Sequence, residues 1–300
     1  MASRATTLDE LQAKLARFVS AEGRAAGLAF RPRPTDVIIA PFPKCGTTWL
    51  QQMVHSLRTG GDLDFDDISR VVPWIETAAD LGLDLDAEQR AEPRAFKSHV
   101  SWTQVPKGCR YLVAFRDPRD ALVSVHRFFE GWFFEPGSID VETLGRARFL
   151  ESHDYYRHLA SWWSHRDDPD VLLLAYEQML AAPEDTVRRV AAFIGVDATD
   201  ELLATALDQS SIATMRANHD KYDDLMMRAL SERSCDLPTG SASSKVGTGG
   251  SGSHRGQLSE AFLAELDATW RETLGTELGL DSYEALLEAL PAPRRPSTGG

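Results

Sequence analysis

Residues 36–49 read DVIIAPFPKCGTTW, and this stretch decides the fold. An Asp is followed by a short, apolar, β-branched run, the composition of a buried strand. PFPKCG then reads as a loop, and from Thr47 the chain continues TTWLQQMVHSLRTG with helical periodicity, up to a pair of glycines. Strand, glycine-containing loop and helix in immediate succession make a local phosphate-binding turn. Gly46 lets the chain wrap tightly around an anion, while successive backbone N–H groups and the helix N-terminus supply positive potential. Lys44 adds a full charge, and Thr47 and Thr48 add hydroxyl donors. The order is not that of the GxxxxGK[ST] triphosphate loop, because Lys44 precedes the glycine and the first glycine is missing.

Working outward, further strands are expected at 94–97, 110–115 and 171–175, with helices at 121–129 and 182–194. Strands alternating with helices imply a mostly parallel central sheet flanked by helices, joined by right-handed crossovers, in an α/β fold. One amphipathic helix is expected over 7–20, short helices over the acidic excursion 61–95, and a helix over 149–165 whose aromatic face packs the core. Residues 240–256 shift sharply in composition, with 11 of 17 positions Gly or Ser. A segment of that kind inside one domain reads as a mobile functional loop. A helix at 258–274 and a short piece at 281–290 complete a single domain over 1–290, and the tail 291–300 is expected to be disordered.

Composition narrows the function. The 300 residues carry 45 acidic against 32 basic side chains, a formal charge of -13, which disfavours nucleic acid or an acidic polymer as partner. No apolar run is long enough for a bilayer span, and residues 1–20 lack the pattern of a signal peptide. The three cysteines, Cys45, Cys109 and Cys235, are too widely spaced for a zinc site and odd in number. A reduced, cytoplasmic protein without a membrane partner is the expectation. Cys45 reads as a small loop filler rather than a reactive thiol.

Two further motifs stand at predicted strand ends, where open α/β sheets place their ligands. Arg116-Asp117-Pro118-Arg119-Asp120 follows the third strand, and Ser124 lies nearly two helical turns beyond. An arginine fork and a hydroxyl converging there would clamp a phosphate, although a cluster of ion pairs at a helix start accounts for RDPRD taken alone. Lys97-Ser98-His99 follows the second strand.

Together these motifs resemble the cytosolic-type sulfotransferases, which use 3′-phosphoadenosine 5′-phosphosulfate (PAPS) as sulfuryl donor. PKCGTTW at 43–49 resembles their 5′-phosphosulfate loop, YLVAFRDPRDALVS at 111–124 their 3′-phosphate motif, and FKSH at 96–99 their KTH segment. The likeness continues in HDYYRHLASWW, in YEQMLAAPEDTVRRVAAFIG and in QSSIATMRAN. The resemblance implies a P-loop kinase-like fold and in-line sulfuryl transfer to a hydroxyl of a small-molecule alcohol or phenol, without a metal. It implies that Lys44 steadies the leaving phosphate oxygen, that His99 is the general base and that Lys97 is a supporting cation at the sulfuryl group. Lys44, Cys45, Gly46, Thr47 and Thr48 would form the 5′-phosphate loop, with Trp49 against the adenine. Arg116 and Ser124 would hold the 3′-phosphate, Ser124 also retaining Lys44. Tyr176 would meet the adenine edge, and Ser210, Ile212 and Met215 would close over the base.

Two departures from the family pattern stand out. Gly247 and Thr248 occupy the places of a basic pair on the 3′-phosphate, and His254 that of a Trp, leaving Lys245 or Arg255 to substitute. Loss of that clamp would cost about 1.5–3 kcal/mol of binding. The animal dimer motif is absent near 255–265, so a monomer or a different homodimer is expected. Trp74, Trp132, Phe133 and Phe134 lie in segments that would border the acceptor, although core packing explains them at least as well, and His158 is either a pocket or a structural residue. Two alternatives remain open at this point: an inactive relative that binds adenosine bisphosphate, and a kinase with a variant P-loop.

Overall fold

The computed structural model describes residues 2–292 except Ala242 and Thr248. Thr248 and the tail from 293 onward, on which two of the expectations fall, therefore lie outside the described residues. Four strands form the sheet: β1 (Val37–Ile39), β2 (Ala95–Lys97), β3 (Arg110–Phe115) and β4 (Val171–Ala175). Their order is β2-β1-β3-β4 and every pairing is parallel. The chain leaves β1 for β2 on one side and returns to β3 on the other. The carboxyl end of β1 is thus the point where strand order switches and a crevice opens.

Because side chains alternate along a strand, each strand feeds two cores. Ile38, Phe96, Tyr111, Val113 and Leu173 belong to one face, and Val37, Ile39, Ala95, Leu112, Ala114 and Leu174 to the other. Helices cover both, which explains why the strands read as unbroken apolar runs. Thr47–Thr59 and Pro183–Ile194 pack on one side, contributing Leu50, Met53, Val54, Val187 and Val190. Asp154–Trp163 and Glu260–Trp270 pack on the other. Tyr155, Tyr156, Leu159, Trp162 and Trp163 are buried there, as the core reading of the aromatic face required.

Some boundaries differ from the periodicity. The helix expected over 7–20 is shorter, Leu8–Leu15, and a second one not foreseen follows at Ala21–Leu28. Ser20 caps the second through Gly23 N–H, and its own N–H and hydroxyl donate to Asp80 at 2.8 and 2.5 Å, so a tertiary contact holds the start of that helix. The helix over 149–165 is interrupted at His153, which adopts φ 54°. A π-turn at Arg146–Glu151 precedes the break. Another, Arg271–Gly275, ends the regular helix begun at Glu260.

A buried ion pair fixes the starts of β1 and β2. Arg94 Nη2 and Nε donate to Asp36 Oδ2 and Oδ1 at 2.6 and 3.0 Å, with side chains 1% and 0% exposed. Removing one partner strands the other charge. Asp36→Ala should lower the urea-unfolding free energy by about 3–5 kcal/mol, whereas replacing both residues with apolar ones of similar volume should cost far less.

Candidate active site

The loop after β1 is held in an unusual backbone. Lys44 has φ 67° and Gly46 φ 93°, the left-handed region that costs a residue with a side chain about 1–2 kcal/mol. Arg116, at the end of β3, fastens it by donating from Nη1 to the Lys44 carbonyl at 3.0 Å. A Cβ on Gly46 would stand 3.1 Å from the Tyr176 ring, so only glycine suits this position. Cys45 turns into the core, and burial pushes its thiol up to about 12. It is the loop filler expected, and only its backbone remains for a donor.

Around this loop, polar groups wait without partners. The Thr47 hydroxyl and Arg116 Nε are buried with no hydrogen bond among the described residues. Arg116 lies 4.3 Å over the Tyr176 ring, and Trp49 meets that ring edge-on at 5.6 Å. Orphaned donors beside a left-handed turn and an aromatic cup fit an anionic nucleotide such as PAPS. Thr48, Ser124, Ser210, Ile212 and Met215 line the same cavity. The Ser210 hydroxyl is already given to the Ala206 carbonyl at 2.6 Å. Of the RDPRD run, only Arg116 is among the residues that line this cavity. Asp117 and Arg119 pair with each other at 2.8 Å, the helix-start cluster foreseen for the motif alone. Asp120 accepts from Gly252 N, His254 N and His254 Nδ1 at 2.6, 3.0 and 2.7 Å, tying the Gly/Ser segment to the site.

Next to the loop three ammonium groups converge. Lys44 Nζ lies 4.1 Å over the Phe128 ring and donates to the Lys245 carbonyl at 3.3 Å, not to Ser124. Lys97 Nζ lies 4.1 Å over the Trp74 ring. Lys245 Nζ donates to Asp224 Oδ1 at 2.6 Å. Burial first, and then the Lys245 charge, push both Lys44 and Lys97 down to about 7. Burial alone would raise the Asp224 carboxyl, but Lys245, Lys97 and Lys44 outweigh it and hold it at about 2. Arg255, the other candidate for the missing basic pair, is exposed beside Gly252.

His99 faces this cluster. Its Nδ1–H donates to the Pro41 carbonyl at 2.8 Å, which leaves Nε2 as the acceptor. Its backbone N–H donates to Glu76 Oε1 at 2.8 Å. Burial and then the Lys97 charge push the imidazole well below 6.5, which keeps it neutral.

One continuous cavity of about 890 Å³ joins these parts. Beyond His99 it becomes apolar, walled by Leu15, Phe18, Trp74, Phe129, Trp132 and Phe133. Phe134, expected at this border, is instead fully buried behind it, where its backbone pairs with Ala5. His158 is buried against Phe42 at 5.7 Å, is depressed to about 3 by burial, and is not among the residues that line the cavity. Leu15, Phe18, Phe128, Glu76 and Asp224 went unnoticed in the sequence. None sits in a motif, and Phe18 lies past the end of the helix Leu8–Leu15; the DD pair at 223–224 and, farther along the chain, the single lysine of the Gly/Ser run were the one faint signal for Asp224.

Three lines of comparison agree with this fold. Residues 34–277 match the family described as the sulfotransferase domain. The chain is 30% identical over 205 residues to sulfotransferase 1B1 of Canis lupus familiaris, covering 63% of this chain and 69% of that one. It is 24% identical over 282 residues to the luciferin sulfotransferase of Photinus pyralis, covering 82% and 73%. Among solved structures, retinol dehydratase in a complex with retinol and PAP aligns with a TM-score of 0.69 at 18% identity, covering 90% of this chain and 96% of that one. Mouse sulfotransferase SULT7A1 complexed with PAP gives 0.66 at 18% identity, covering 91% and 94%. The site is that of a transferase working on a phosphorylated nucleotide. This chain belongs to the PAPS-dependent sulfotransferase family, and it is a sulfotransferase enzyme by that membership.

The buried lysines carry a stability cost with a definite pH sign. Lys97 falls from 10.5 to about 7 on folding, so between those values the unfolded chain binds more protons, and stability rises with pH across that window. Lys97→Met should therefore unfold at a higher temperature than the wild type at pH 6, and its advantage should shrink as the pH is raised from 7 towards 10. Thermal unfolding at several pH values checks this.

Proposed function

We propose that the enzyme transfers the sulfuryl group of PAPS, in line, to a hydroxyl of a small apolar alcohol or phenol. The observation that carries this reading is the neutral His99, set between the cationic cluster and an apolar arm of one cavity. Nε2 of His99 takes the proton as the acceptor oxygen bonds to sulfur, and the bond from sulfur to the phosphate oxygen breaks. Charge grows on that leaving oxygen, where the Lys44 ammonium stabilises it. Lys97 supports the sulfuryl oxygens. Thr47, Thr48 and the backbone of 44–48 hold the 5′-phosphate, Arg116 and Ser124 the 3′-phosphate, and Trp49, Tyr176, Ile212 and Met215 the adenine. The aromatic walls support an apolar acceptor, in keeping with the fold neighbour that binds retinol. Among the described residues no helix is long and apolar enough to cross a membrane, and all three cysteines are free and buried. A reducing, cytoplasmic setting belongs to the same reading.

Calorimetry with adenosine 3′,5′-bisphosphate (PAP) beside ADP, without metal, tests the donor half: a preference for PAP of about tenfold, or 1.4 kcal/mol, is expected. Equal binding of the two would remove the 3′-phosphate clamp. For the chemistry, transfer from PAPS to a phenol should fall by about 10²–10⁴-fold in His99→Ala while PAP affinity holds. Lys44→Ala should lose about 10²–10³-fold in turnover. Retained turnover in either variant would take that residue out of the mechanism.

A further inference from the structure

Lys245 stands in the Gly/Ser segment, yet it is among the more tightly held side chains of the site. Its ammonium and the Asp224 carboxylate are 8% and 4% exposed. The backbone is pinned as well. Lys245 N–H donates to Asp223 Oδ1 at 2.7 Å, and the neighbouring Ser244 hydroxyl donates to the same oxygen at 2.9 Å. The Lys245 carbonyl accepts from Lys44 Nζ at 3.3 Å. A clasp for the segment needs none of this burial, because Asp120 already supplies one through Gly252 and His254.

Position distinguishes two roles for Lys245. The sequence expectation sets it on the 3′-phosphate in place of the missing basic pair, beside Arg116 and Ser124. Its charge, however, is felt at Lys44, Lys97 and His99 alike, the groups proposed to act on the sulfuryl transfer. The acidic neighbours of the cluster are Asp224, which acts on Lys44, Lys97 and Lys245, and Glu76, which acts on Lys97. One N–H of the Lys245 ammonium is taken by Asp224, its side chain also meets that of Lys97, and the residue lines the cavity, so a donor is left for an anion there.

We propose that Lys245, tethered by Asp224, is a second cation on the sulfuryl oxygens, beside Lys97, so that the Gly/Ser segment supplies a catalytic residue as well as a cover. The proposal rests on the PAPS reading above. PAPS and PAP differ by the sulfuryl group and share both phosphates, so they separate the roles without any acceptor. Calorimetry on the full chain should show PAPS affinity lowered about tenfold in Lys245→Ala, the scale of one charge-assisted hydrogen bond, with PAP affinity unchanged. Lys245→Arg should restore PAPS binding. Lys245→Gln, which keeps an amide donor toward Asp224, should reproduce the selective loss if the alanine variant folds poorly. Equal weakening of both ligands would assign Lys245 to the 3′-phosphate or to structure and overturn the proposal, as would unchanged PAPS affinity. A wild-type protein that binds neither ligand would instead bring down the donor reading itself, and the proposal with it.

Discussion

Buried positive charge is the constraint around which this molecule is arranged. A chain with a formal charge of -13 keeps Lys44, Lys97 and Lys245 together out of water, with Asp224 as the carboxylate they share. Such a cluster costs stability, and the depression of Lys44 and Lys97 to about 7 is the direct sign of that cost. An arrangement of this kind makes physical sense when an anion completes it. In the proposed reaction the anion is a donor whose charge moves during transfer, and cations already desolvated and fixed act on it without reorganising.

The parallel sheet is what makes the cluster affordable. β1, β2, β3 and β4 end on the same side, so the residues just beyond them, Lys44, His99, Arg116 and Tyr176, meet without long excursions. Arg94 and Asp36 hold the opposite ends of β1 and β2 in register. The aromatic wall then serves two purposes. Phe128 and Trp74 present ring faces to Lys44 and Lys97, which softens their desolvation, and with Phe18, Trp132 and Phe133 they shape the apolar arm.

Much of this was legible because the donor loop is local. A strand, a glycine turn and a helix within 36–59 specify an anion site through backbone geometry alone, and the runs at 110–115 and 171–175 could be placed to the residue because buried strands are continuously apolar. Helix ends were harder to read. The start of the helix after Ser20 is held by Asp80, and the break at His153 falls on a left-handed residue that periodicity does not mark.

The sequence by itself determined the fold class, the family and the placing of Lys44, Lys97, His99 and Arg116 at strand ends, from which they line one cavity. Those features follow from contiguous residues, whose spacing dictates local geometry. Only the tertiary structure decided where Lys245 points, that Phe134 is withdrawn while Phe18 lines the pocket, and that Asp120 anchors the Gly/Ser segment. Each of those contacts joins residues far apart in the chain, and a side chain's partner across such a distance is set by packing and charge balance, which no local pattern records.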